Sequence, residues 1–442
     1  MTGTAVRENS EESGPGYGAD ILNVAGIGFG AANLALAAAL HETGESAGVR
    51  FLEKQQTFGW HTGMLMEGAS MQVSFLKDIA TMRNPTSDFG FLSYLKEKGR
   101  LVDFINHAVL TPSRVEFHDY LAWAADRVRH LVEYGVEITG VRPVREGGAV
   151  VALDVMAGDR VAARTRNLVI GQGLRPRLPE GAETGERVWH SSQLLHRLPE
   201  FDERSPKRVV VVGAGQSAAE IAGHLMDRYP AAEVCAVFTR YGYSISDASP
   251  FANRVFDPAA VDDFYAAPPE VKESLLRYHG ATNYAVVDGH VLDGLYRRQY
   301  EQKVTGDAQL RVMHTSRIDS VDLRDDSVAV RVRFLPTGEV TDLDADLLVY
   351  ATGYTSPDPA ELLGGIAGSL RRDGTGELLI GRDYRIGTTD DVRCGIYVQG
   401  ATEATHGIAS TLLSMTAVRA GEIAELLASD RRAQERTAEN GN

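Results

Sequence analysis

The chain has 442 residues, 43% of them hydrophobic and 24% charged, an ordinary globular composition with apolar material for two or three domains. Its formal net charge of -15 argues against a nucleic-acid backbone or an anionic membrane as partner, since both require a basic face. With only 2 cysteines, Cys235 and Cys394, far apart in sequence, a disulfide framework, a thiolate zinc cluster and a CxxC redox pair are excluded.

Residues 1–19 mix charges with Gly and Ser and lack the apolar core of a signal peptide, so they read as a disordered arm. No apolar stretch approaches the ~18 residues of a membrane span, and the protein reads as cytoplasmic. An apolar run at 21–25 then breaks into Gly26-Ile27-Gly28-Phe29-Gly30, an alanine-rich helix follows, and a strand at 49–53 ends in Glu53. Strand, glycine turn, helix and strand make a βαβ unit. A later strand at 167–170 runs into Gly171-Gln172-Gly173 and the proline-bearing 174–179, an exit from this domain. The same grammar recurs: strand 208–212, turn Gly213-Ala214-Gly215-Gln216-Ser217, helix 218–227, and a strand at 233–239 closing at Arg240. Segment 244–302 fits neither unit; it carries Pro250, Pro258, Pro268 and Pro269 and then helical pieces, and reads as an insertion covering a site. A buried-strand pattern at 346–351 leads into Thr352-Gly353-Tyr354, and the tail after Asp430 is polar.

The fold expected is α/β, with two Rossmann-like dinucleotide-binding domains and a smaller, partly helical substrate-binding insertion. The first domain spans 20–192; the second spans 193–330 and carries the insertion at about 244–302. The chain returns to the first domain at 331–430, leaving 1–19 and 431–442 as disordered tails.

Glycines in a βα turn let backbone N–H groups reach a pyrophosphate at a helix N-terminus, where the helix dipole favours negative charge. Two such turns, each between a strand and a helix, point to two dinucleotides. Glu53 stands where an acid bonds the adenosine ribose, although a solvated strand-end glutamate reads the same way. Arg240 replaces that acid in the second unit, which suits a 2′-phosphate and hence NADPH, the bland alternative being a surface arginine. FAD at the first turn and NADPH at the second leave several chemistries open, reduction of a quinone or ferredoxin among them.

Segment 58–85 reads FGWHTGMLMEGASMQVSFLKDIATMRNP. It is followed by EFHDY at 116–120, WHSS at 189–192, GAGQSAAE at 213–220, SPFANRVFDP at 249–258, TNYAVVD at 282–288, ATGY at 351–354 and THGIASTLLS at 405–414. Together these resemble the flavin-dependent N-hydroxylating monooxygenases of siderophore and hydroxamate biosynthesis, and within them the bacterial L-ornithine N5-monooxygenases. The resemblance implies oxidation of a side-chain amine by O2 through a C4a-hydroperoxyflavin, with L-lysine or a diamine as the alternative substrate. It implies FAD contacts from Gly26, Gly28 and Gly30, from Glu53, Trp60, His61 and Gln72, from Ile138, and from Gly407 and Ile408. NADPH contacts are implied for Gly213, Gly215, Gln216, Ser217 and Arg240, with Asn283 and Tyr284 at the nicotinamide ribose. Lys77, Asn253 and Asn283 match the positions that bind the amino acid. Their chemistry agrees: a cation for the α-carboxylate and neutral carbonyls for the α-ammonium, though each alone also reads as a surface or turn residue. Ala409 stands where many relatives carry Ser and is expected to leave room near the substrate. No side chain is assigned as an obligatory acid or base, and no metal site is assigned. His61 and His406 also read as hydrogen-bonded core histidines. A homo-oligomer, a tetramer by resemblance, is expected. Two rivals remain: an NADPH-dependent flavin reductase and a non-enzymatic FAD-binding redox sensor.

Overall fold

The computed structural model describes residues 21–202 and 205–440, so the expected N-terminal arm at 1–19 lies outside the described residues. Leu22–Ile27 lies at the centre of a seven-stranded sheet, parallel to Val49–Glu53 on one side and to Arg160–Ile170 on the other. Val132–Tyr134 extends the parallel part, Gly140–Glu146 and Ala149–Ala157 form an antiparallel hairpin at the far edge, and Gly395–Val398 adds a late parallel strand to Arg160–Ile170. The chain's end thus completes the sheet that its beginning started.

The second sheet is wholly parallel, in the order Leu310–Met313, Glu233–Val237, Arg208–Val212, Leu347–Tyr350, Val188–His190. Its central strands are near-continuous Val and Leu runs because both faces are covered, by helix Gln216–Arg228 on one side and by the antiparallel sheet Ser316–Leu323, Val328–Phe334, Val340–Ala345 on the other.

This topology moves two expected boundaries. Val188–His190 belongs to the second sheet, so the first domain ends before 188 and not at 192; Leu347–Tyr350 belongs there too, so the return comes after 350 and not at 331. The connectors pair with each other, Tyr354 opposite Pro176 and Thr355 opposite Arg175, so the chain leaves and re-enters through adjacent strands. The tail is a further correction. Helix Thr416–Asn440 continues through residue 431, where Arg431 pairs with Glu45 at 2.6 Å. That helix packs Ala420, Ile423, Ala424 and Leu427 against Leu34 and the alanines of Ala31–Glu42, whose small side chains admit close approach.

Candidate functional site

The first glycine turn is shaped by contacts that leave no alternative residue at two positions. A side chain on Gly26 would begin 2.2 Å from the Phe51 ring, and one on Gly28 would begin 2.3 Å from the Gly171 carbonyl oxygen, at a φ of +81. Gly30 differs, because nothing lies within 4 Å of the place its side chain would take. It is the N-cap of Ala31–Glu42, and no side chain caps that helix. The N–H groups of the first turn therefore face open space of the kind a pyrophosphate fills. Asn33 fixes the turn from inside, donating to the carbonyls of Ile27 and Gly28 at 3.1 and 2.7 Å. Glu53 is buried, its carboxylate accepting from the N–H groups of Phe29 at 2.6 Å and Gln55 at 2.8 Å. These bonds aim the carboxylate at the turn and leave lone pairs for ribose hydroxyls. The residues present fit FAD.

The second turn repeats the design. Gly213, at φ +141, has no room for a side chain, which would begin 2.4 Å from the Ala351 carbonyl oxygen, and Gly215 caps helix Gln216–Arg228 without side-chain help. Gly213, Gly215, Gln216 and Ser217 open on a cleft of about 1530 Å³. The same cleft is lined by His61 and Gln72 from the first domain, Arg240 from the second, Asn283 and Tyr284 from the insertion, and Glu403, Thr411 and Leu412 from the returning chain. Residues 61 to 412 thus converge on one space, larger than the ~300–1,000 Å³ of a single small-ligand pocket. Arg240 reaches it with one guanidinium nitrogen bonded to the Ala285 carbonyl at 2.8 Å, so it also holds the insertion.

Lys77 is half-buried, its ammonium 5.4 Å from the centre of the Phe256 ring. Burial lowers its pKa and Asp257 partly opposes this, yet no ion pair or hydrogen bond satisfies the ammonium among the described residues. Lys77 therefore meets the SPFANRVFDP segment, on which Asn253 also stands. Asn253 donates to the Ala248 carbonyl at 3.1 Å, leaving its own amide oxygen as acceptor. The N–H groups of Ser246 and Asp247 donate to the carbonyls of Val287 and Ala281 at 2.9 and 3.0 Å, bringing the Asn253 and Asn283 segments side by side. The three side chains make no hydrogen bond to one another among the described residues.

Other expected residues fall differently. Ile138 packs on the apolar face made by Leu52, Val136 and Val141 and does not line the cleft. A side chain on Gly407 would begin 3.3 Å from the Phe264 ring, and Ile408 is buried beside Phe256 and Met415. Ala409 lies in that same buried cluster with Val261, so the room expected there is taken up by packing. Trp60 packs on the first core, edge-on to His61 at 4.6 Å. His61 itself, with a left-handed φ of 50, faces the cleft; surrounding protein and then Arg114 lower its pKa to about 4, so the imidazole is neutral. His406 is a core histidine, stacked on Tyr384 at 4.3 Å and bonded to the Arg382 carbonyl oxygen at 3.2 Å. Both thiols are buried, which pushes Cys235 up to about 12 and Cys394 to about 11.

Sequence reasoning missed Arg114, Glu220, Asp288 and Glu403. Glu403 lines the cleft and accepts a hydrogen bond from Tyr284. Glu220 was legible only as the end of the GAGQSAAE run, since its partner Arg114 stands 106 residues earlier.

Two glycine turns, each leaving a helix N-terminus without a side-chain cap, with both thiols buried, define a two-nucleotide flavoprotein that uses FAD and NADPH. The chain belongs to the L-lysine 6-monooxygenase/L-ornithine 5-monooxygenase family, whose pattern matches residues 20–356, and it is a flavin-dependent N-hydroxylating monooxygenase. It is 38% identical over 428 residues to an L-ornithine N(5)-oxygenase of Arthrobotrys oligospora, covering 92% of this chain and 88% of that one. The structure of an ornithine N-hydroxylase from Kutzneria sp. 744, solved with reduced FAD, NADP+ and L-ornithine, superposes with a TM-score of 0.90 at 45% identity, covering 93% of this chain and 100% of the other. An L-lysine 6-monooxygenase from Pseudomonas syringae gives 0.82 at 33% identity, covering 92% and 99%.

Proposed function

We propose that the protein hydroxylates N5 of L-ornithine with FAD, NADPH and O2, and that Lys77, Asn253 and Asn283 hold the amino acid by its α-end. The observation that carries this reading is the half-buried ammonium of Lys77 beside the insertion, which has no hydrogen bond or ion pair among the described residues and feels Asp257 only through space. A substrate carboxylate completes it with a charge-assisted hydrogen bond. The amide oxygens of Asn253 and Asn283 accept from the α-ammonium without adding a charge that would hold the distal amine protonated.

FAD held at the first turn would supply, once reduced by NADPH, the O2-activating chemistry from which the amine takes one oxygen atom. The chain's own residues fix geometry and water content. Gly213 to Ser217 and Arg240 hold the coenzyme's phosphates; Asn283 and Tyr284 reach its ribose from the insertion; and Glu403 ties Tyr284 to the returning chain. His61 lines the cleft, and with its pKa lowered to about 4 it presents a neutral imidazole there, able to accept a hydrogen bond. Closing the cleft around these groups excludes water from the reacting atoms.

The protein is further proposed to act in the cytoplasm as a homo-oligomer, with a tetramer as the expected state. Supporting this, no helix among the described residues is long and apolar enough to cross a membrane, and helix Gly289–Thr305 leaves Tyr296, Tyr300 and Val304 exposed at four-residue spacing. The direct test of the chemistry is purified protein incubated with L-ornithine, NADPH and O2, assayed for N5-hydroxyornithine. NADPH oxidation with no hydroxylamine from ornithine, lysine or diamines contradicts the proposal.

A further inference from the structure

Glu220 is a buried carboxylate in helix Gln216–Arg228, whose other inward residues, Ala218, Ala219, Ile221, Ala222 and Leu225, are apolar. It is fully engaged. Its two oxygens accept from both terminal nitrogens of Arg114 at 2.9 and 3.0 Å, and one of them accepts again from the Gln216 side chain at 2.8 Å. Arg114 belongs to the other domain, at the first position of helix Arg114–Arg127, where it also donates to the Met64 carbonyl at 3.1 Å. Gln216, the residue directly after the second glycine turn, accepts with its amide oxygen from the Asp288 N–H at 2.8 Å. The Asp288 carboxylate in turn accepts from the Gln72 side chain at 3.3 Å. One polar network therefore joins the flavin domain, the coenzyme turn and the insertion, and Glu220 is where the flavin domain's cation meets the coenzyme helix.

The geometry points to Glu220 as a positioning residue for hydride delivery, locking the coenzyme turn in register with the flavin domain. The inference rests on the assignment of FAD and NADPH to the two turns, not on the identity of the amine. The step concerned is transfer of a hydride from NADPH to oxidised FAD, which leaves NADP+ and, after uptake of one proton, fully reduced flavin. Hydride transfer needs the donor carbon and acceptor nitrogen at about 3–3.5 Å, and a displacement of ~1 Å costs roughly a hundredfold in rate. The domains are otherwise joined by the short ladder at 175–176 and 354–355, by the bonds of Arg177 to the Thr352 and Gly353 carbonyls, and by Met64, Met66 and Ala69 packed on the second core. A bidentate, water-excluded ion pair resists that displacement with directional bonds.

The test is anaerobic stopped-flow reduction of FAD-loaded Glu220→Gln and Glu220→Ala, with NADPH and separately with dithionite, which needs no docking of the coenzyme. Small-angle scattering of the same holoenzymes gives a readout independent of turnover. The expected result for Glu220→Ala is a tenfold to hundredfold slower reduction at saturating NADPH, an unchanged rate with dithionite, and a larger radius of gyration. Glu220→Gln keeps the shape, loses the charge and falls between. If Glu220→Ala does not fold, Glu220→Gln alone decides, with at least a threefold selective loss expected. Native-like NADPH reduction in a folded, FAD-loaded variant overturns the inference, as does an equal loss with both reductants. Because no amine enters this assay, its failure is separate from a failure of the N-hydroxylase reading, which shows only as missing hydroxylamine.

Discussion

At the scale of single residues, the chain sets charged groups where a ligand must complete them. Lys77→Ala removes the cation expected under the α-carboxylate. Loss of one charge-assisted hydrogen bond, about 1.5–3 kcal/mol, raises KM for the amino acid about tenfold to a hundredfold. Flavin content stays unchanged, because Lys77 packs on Phe256 and not on the first turn. An unaltered KM in a folded, FAD-loaded variant removes Lys77 from the site. Arg240 has two duties, since it lines the cleft and also bonds the Ala285 carbonyl. Arg240→Ala is expected to weaken NADPH binding at least tenfold more than NADH binding, with a small common loss from the freed insertion loop. Equal losses for both coenzymes in equilibrium titrations reduce the residue to its structural duty. Lys77, Asn253 and Asn283 could be singled out as candidates from their flanking runs. The burial of Ala409 was not, because the residues that cover it, Phe256 and Val261, come from a segment about 150 positions earlier.

At the scale of elements, the first βα turn separates folding from cofactor binding. Gly28→Ala forces a left-handed backbone onto an L-residue and drives its side chain into the Gly171 carbonyl, so it destabilises the protein by well over ~1 kcal/mol. Gly30→Ala meets nothing in the fold, so the variant keeps its stability while its methyl group intrudes on the phosphate path and lowers FAD affinity. Thermal melts paired with flavin titration check both, and a Gly30→Ala protein with native FAD affinity refutes the placement of the pyrophosphate. The short element Glu403–His406 predicts a pH response. Burial holds His406 near pKa 4 against an ordinary 6.5, so below about 6.5 the unfolded chain takes up a proton that the folded chain refuses. Its contribution to stability is complete above about pH 6.5 and is lost toward pH 4, on the order of 1.4 kcal/mol per pH unit. Melting midpoints compared between pH 7 and pH 5 should fall less in His406→Gln than in the parent; identical slopes contradict the assignment. Both glycine turns and the flanking strands were legible because their signals are local. The domain limits were not, since Val188–His190 offers three residues whose place is fixed by pairing with Leu347–Tyr350, far away in sequence.

At the scale of the molecule, one cleft is assembled from segments spread between 61 and 412, and its task is to place an amine against a flavin. With the α-end anchored at Lys77 as proposed, substrate length decides where the distal nitrogen falls. The additional methylene of lysine costs little in binding, about 1–3 kcal/mol at most, but moves the nitrogen by about one bond length, enough to cost roughly a hundredfold in rate. Lysine is therefore expected to occupy the site and stimulate NADPH oxidation while most of the reducing power is released as hydrogen peroxide. Ala409 lies in the buried cluster of Phe256 and Val261.

The measurement that bears most directly on the central claim is hydroxylamine formed per NADPH oxidised, with L-ornithine and L-lysine compared at saturation in one preparation of FAD-loaded protein. The predicted result is a ratio near one for ornithine and at least severalfold lower for lysine, with the shortfall recovered as hydrogen peroxide. An equal or higher ratio for lysine would contradict the ornithine assignment.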